Sequence, residues 1–130
     1  MVQISNEEFE KLIHRAVAAL PSRYVDNLKN VAFLLEDEPS IQQRQLLMLR
    51  DDQTLFGLYE GVPLSQRQGT TKVLPDKITI FKGPIERSSP DIASLYNRVG
   101  RTIWHEVAHY YGLDHKRIND LEAKEREGLG

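Results

Sequence analysis

The chain has 130 residues, 40% hydrophobic and 28% charged, with a formal net charge of −2. That is the length of one domain with room for a single core, so residues 1–130 are expected to form one domain. The near-neutral charge offers no footprint for nucleic acid or a membrane surface. The absence of cysteine excludes disulfides, thiolate catalysis and cysteine ligation, so any metal must be held by His, Asp, Glu or water.

The N-terminal MVQISNEEFE carries neither a cationic nor an apolar leader region, and no run of about 18 apolar residues follows, so a cytoplasmic location is expected. Ser5 and Glu8 have capping-box spacing, and Phe9, Leu12, Ile13, Ala16, Val17 and Leu20 then recur at helical intervals up to Pro21. His14 on this helix reads as a surface histidine. The apolar run NVAFLLE, Asn30 to Glu36, predicts a buried strand. The acidic trio Glu36-Asp37-Glu38 after it reads as a solvated strand end, with a cation site as the alternative.

Ser40 is placed to cap a helix over IQQRQLLML, and Asp51-Asp52-Gln53 reads as a turn. Leu55 to Gly61, LFGLYEG, predicts a second strand with a bulge at Gly57. Val62 to Asp76 is polar, contains Pro63, Gly69 and Pro75, and reads as a long loop. KITIF, Lys77 to Phe81, alternates as a strand with one buried face should, and Lys82-Gly83-Pro84 is expected to end it. The last element is a long helix with Ser89 as N-cap, Pro90 at its first position and Asp91 in its first turn. Ile92, Tyr96, Val99, Ile103, Val107 and Tyr110 form its expected apolar stripe. Trp104 reads as a packing residue, and the charged tail LEAKEREGLG as a fraying helix.

That helix carries HEVAHYYGLDH, His105 to His115. At about 100° per residue, His105 and His109 lie about 40° apart and one turn from each other, on the flank of the apolar stripe. Glu106 is close to both but offset around the axis, which suits a group that acts on water and does not itself ligate. Gly112 fits a left-handed C-cap and would let the chain send His115 back toward the pair. Three imidazoles and one water make an open zinc site, and Glu106 would serve as general base toward the zinc-bound water. Tyr59, Tyr96, Tyr110 and Tyr111 are candidates to stabilise the oxyanion. The bland alternative is a surface helix that happens to carry histidines.

The motif resembles the extended zinc signature of the metzincin peptidases, H-E-x-x-H-x-x-G-x-x-H, at every fixed position. Metzincins also carry a methionine turn after the third ligand, whereas this chain has methionine only at Met1 and Met48. A wider resemblance runs through FGLYEGVPL (Phe56 to Leu64), VLPDKITIFKGPIE (Val73 to Glu86) and RTIWHEVAHYYGLDHKRI (Arg101 to Ile118). These segments are similar to a family of small bacterial zincin-like metallopeptidases, over roughly Leu55 to Leu121. The resemblance implies an α+β fold, a single small domain with a mixed sheet packed on the active-site helix. It implies zinc held by His105, His109 and His115, with Glu106 as general base.

The expected function is zinc-dependent hydrolysis of peptide bonds, narrow in scope because so short a chain has little left to build subsites. A zinc-binding interaction protein with little or no turnover, and a hydrolase of non-peptide amides, are the alternatives. In zincins an edge strand beside the active-site helix pairs with the substrate backbone. Lys77 to Phe81 is a candidate for that role with a peptide or protein substrate, or is simply part of the sheet.

Overall fold

A computed structural model describes residues 2–28, 30–52, 54–61, 75–113, 116, 117 and 120. The elements in chain order are α1 (Asn6–Ala18), α2 (Ser22–Val25), β1 (Val31–Glu36), α3 (Ile41–Leu46), β2 (Gly57–Glu60), β3 (Asp76–Phe81), α4 (Lys82–Arg87) and α5 (Ile92–Tyr110). The fold is α+β, with a three-stranded mixed sheet in the order β1-β3-β2. β1 runs parallel to β3, from Val31 opposite Asp76 to Glu36 opposite Phe81. β2 runs antiparallel to β3, with Gly57 opposite Ile80 and Glu60 opposite Lys77.

Local signals explain most of these boundaries. The Ser5 hydroxyl accepts from the Glu8 N–H and starts α1. Ser40 and Gln43 form a full reciprocal capping box at α3. α3 nevertheless stops at Leu46, two residues before Met48, whose φ of 56° is left-handed. Pro21 does more than stop α1: it sits at the N-cap of the short α2.

The core lies between the sheet and the two long helices. α1 contributes Phe9, Leu12 and Ile13, β3 contributes Ile78 and Ile80, and α5 contributes Leu95, Val99, Ile103 and Val107. Burying side chains of this size stabilises the fold by about 1.5–3 kcal/mol each. α1 packs on α5, and α5 packs on β2 and β3, so the histidine-bearing helix is clamped along its inner face. Trp104 meets Tyr24 edge-on, ring centroids 4.9 Å apart, as a packing residue should. His14 is exposed on α1. Among the described residues no helix is long and apolar enough to cross a membrane.

Several expectations need correction. β1 is an edge strand and only half-buried, with Leu34 38% exposed. β3 is the central strand: Lys77 to Phe81 has partners on both sides, so its backbone has no edge left for a substrate. α4 follows β3 without a break, because Pro84 falls in the first helical turn, where a missing N–H breaks no intrahelical bond. The N-cap of α5 is Asp91, whose carboxylate accepts from the Ser94 N–H, while Ser89 is buried and donates to the Ile85 carbonyl at the end of α4. At the start of α5 the burial departs from the expected stripe: Leu95 is buried, and Ile92 and Tyr96 are exposed. Glu38 at the end of the acidic trio is bound by Arg87 at 2.7 and 3.1 Å, which favours the solvated strand end over a cation site. Of the loop expected over Val62 to Asp76, Asp76 already belongs to β3 and residues 62–74 lie outside the described residues, as do His115 and the tail from Leu121.

Candidate metal centre

α5 places His105, Glu106 and His109 so that one ligand atom from each lies within 4.8 Å of the others. The two imidazole centroids are 4.8 Å apart and the rings are nearly perpendicular. Both histidines are half-buried, and Glu106 is buried. The helix then closes as the glycine required. Gly112 has a φ of 78°, its N–H donates to the His109 carbonyl, and the Leu113 N–H reaches back to that of Ala108. This paired closure turns the chain sharply three residues before the third predicted ligand.

Glu106 is held from outside its own helix. Its Oε1 accepts the Tyr59 N–H at 2.9 Å and lies 3.1 Å from His109 Nδ1. Tyr59 belongs to β2, and its N–H points away from β3, toward the outer side of the sheet. Among the described residues no further strand pairs with β2, and its outer edge faces the histidines. Gly57 makes this approach feasible. It is a regular strand residue and not a bulge; a Cβ there would lie 2.7 Å from Thr102 Cγ2, 3.2 Å from Glu106 Cγ and 3.3 Å from the Thr79 carbonyl. Gly57→Ala is expected to destabilise the fold by about 1–3 kcal/mol through this overpacking. Adding Thr102→Ser, which removes the offending methyl, is expected to recover most of the loss. Urea midpoints of the single and double variants check this, and an unchanged midpoint in Gly57→Ala contradicts it.

The electrostatics follow from the same contacts. His109 has its pKa raised above 6.5; the hydrogen bond with Glu106 is the main cause, burial opposes it, and the charge of Glu106 adds to it. The sign is that of a cation gaining a partner. The charged pair stabilises the metal-free fold fully below the unfolded value of about 6.5 and is lost as the pH rises through the higher folded value. A metal needs the neutral ring. Zinc uptake is thus expected to displace a proton from His109 and to weaken as the pH falls through that raised value. Chelator competition between about pH 6 and 8 measures it. An affinity that stays flat over that range contradicts it.

Two imidazoles beside a carboxylate, gathered on one helix flank, suit a divalent transition ion. The tyrosines are less suited to the oxyanion role. The Tyr59 hydroxyl donates to Asp76 Oδ2 at 2.6 Å, and the Tyr111 hydroxyl donates to the Tyr24 carbonyl. Tyr110 is fully buried and Tyr96 is half-exposed. Met48, 87% exposed at the end of α3, cannot sit beneath the histidines as a methionine turn would.

Sequence reasoning missed the role of β2. A glycine inside an apolar strand often marks a close approach of another element, and Gly57 was that signal. It also missed an open groove of about 560 Å³ that runs between the 54–57 segment and α5 and ends at His105 and Glu106.

A family model described as zincin-like metallopeptidase matches residues 28–125. No curated protein matches the chain. A solved structure of a conserved hypothetical protein from T. thermophilus is similar in fold, with a TM-score of 0.56 and 20% identity over 82% of this chain and 92% of that one.

Proposed function

The chain belongs to the family of zincin-like metallopeptidases, and from that premise we propose that it is a zinc-dependent peptidase whose metal is held by His105, His109 and His115. The observation that carries the proposal is the Glu106 carboxylate, buried beside both described histidines and fixed by the Tyr59 N–H. A helix with incidental histidines would have no reason to hold an acid in that position.

Zinc, when bound, would acidify a water molecule and polarise the scissile carbonyl. The chain's own part is proton transfer and positioning. Both bonds to Glu106 fall on Oε1, which leaves Oε2 as the oxygen that takes the proton from the attacking water. The same carboxyl then returns that proton to the departing amine. The Tyr59 N–H keeps the carboxylate from rotating between these two steps.

The substrate backbone is proposed to lie extended in the groove along the 54–57 segment, where the outer edge of β2 meets α5. This moves the pairing role from β3 to the 54–57 segment that leads into β2 and keeps the expected partner, a peptide or protein. The test is a peptide-library digestion with zinc-loaded wild type and Glu106→Gln. Defined cleavage by the first and none by the second supports the peptidase. Zinc uptake with no cleavage by either supports a binding protein of the same fold.

A further inference from the structure

We infer that Arg98 and Arg101, two turns and one turn before His105 on α5, form a carboxylate-recognition site, so that the preferred substrates are peptides carrying a carboxylate two or three residues from the scissile bond. This rests on the peptidase reading and adds a substrate class to it.

Both arginines line the groove that ends at His105 and Glu106. The Arg98 guanidinium carbon stands over the Phe56 ring on the opposite wall, 4.9 Å from its centroid, a cation–π contact that holds the side chain at the groove. Its Nε is buried and, among the described residues, has no hydrogen-bond partner. Among the described residues neither guanidinium makes an ion pair. Among those residues, too, the only acid lining the groove is Glu106, whose Oε1 is already engaged. A chain of net charge −2 thus concentrates two cations beside its reactive carboxylate.

A carboxylate suits an arginine that lines a groove best, because its two oxygens match the guanidinium fork. The spacing then sets the register. Arg101 precedes His105 by about 6 Å along the helix axis and Arg98 by about 10.5 Å, at 1.5 Å per residue. An extended peptide advances about 3.3 Å per residue, so the arginines face positions two and three residues from the bond at His105.

Two sources can supply the group, a peptide's own C-terminal carboxylate or an aspartate or glutamate side chain. Three sets of fluorescent hexapeptides separate them: free C-terminus with glutamine inside, amidated with glutamine inside, and amidated with glutamate inside. Binding is read by anisotropy on the Glu106→Gln protein, and cleavage of the same peptides on wild type. One carboxylate series is expected to bind about tenfold tighter than the amidated glutamine series, in keeping with a charge-assisted bidentate pair. Arg98→Gln and Arg101→Gln are each expected to remove most of that preference. Arg98→Lys, which keeps the charge but not the fork, is expected to restore only part of it. Arg101 is exposed, so its variant folds even if Arg98→Gln does not.

Tighter binding of the free-carboxyl peptides assigns the α-carboxylate, tighter binding of the glutamate peptides assigns the side chain, and either supports the inference. Equal affinity across the three sets overturns it, even if wild type cuts them all. A preference that survives in both arginine-to-glutamine variants overturns it as well. A carboxylate preference without cleavage upholds the site and removes the peptidase reading.

Discussion

Glu106→Gln is expected to lower peptide turnover by about 10²–10⁴-fold, the usual worth of a positioned general base, while leaving zinc content unchanged. The substitution is chosen for what it preserves. A glutamine carbonyl still accepts the Tyr59 N–H that Glu106 Oε1 accepts at 2.9 Å, so β2 stays docked on α5. What is lost is the ability to take a proton. Glu106→Ala is a poorer probe, because it also strands that N–H at a site where Glu106 is only 6% exposed. An orphaned buried donor costs about 1–3 kcal/mol, so the alanine variant is expected to be less stable as well as inactive. Comparing turnover, zinc content and urea midpoint for the two variants separates chemistry from docking. Turnover in Glu106→Gln within about tenfold of wild type would remove Glu106 from the base role.

The second large effect is on the metal. His105→Ala and His109→Ala are each expected to weaken zinc binding by more than about 100-fold, since even outer-shell partners of a metal site cost about 10–100-fold. The consequence extends to stability. A ligand at about 100 times its dissociation constant adds about 2.7 kcal/mol to the folded state. Wild type should therefore melt at a higher temperature with zinc than without, and the two variants should not respond. His115→Ala belongs in the same series as the test of the third ligand. His14→Ala, on an exposed position of α1, is the control that should keep the full zinc response. Equal zinc-induced stabilisation in wild type and both α5 variants would place the metal elsewhere.

The parts of this molecule legible in its sequence are those governed by local periodicity. The i, i+3, i+4 apolar spacing of α1 survives in Phe9, Leu12 and Ile13, all buried. The i, i+4 spacing of His105 and His109 puts their rings 4.8 Å apart, as the helix geometry alone requires. Gly112 caps α5 with a positive φ because the C-cap position favours the residue without a Cβ.

What was not legible depends on contacts between distant segments. β1 and β3 are both apolar runs, and nothing local says that β3 is the central strand and β1 an edge. For that reason the sequence points the substrate-pairing role at β3, which is flanked on both sides. The two-residue shift of the α5 cap, from Ser89 to Asp91, comes from α4, whose last turn takes the Ser89 hydroxyl for itself. α4 was hidden by Pro84, a helix breaker in an interior but harmless in a first turn. The grip of Tyr59 on Glu106 spans 47 residues and could only be hinted at by the glycine two positions before it.

A crystal structure of the protein grown with zinc tests the metal centre most directly. Anomalous density is expected within about 2.0–2.1 Å of one imidazole nitrogen from each of His105 and His109. A nitrogen of His115 should complete the protein ligands, with the Glu106 carboxylate outside bonding distance and the Tyr59 N–H still on its Oε1. Zinc ligated through Glu106, or found only at surface sites away from α5, would contradict the assignment of three histidine ligands and one free base.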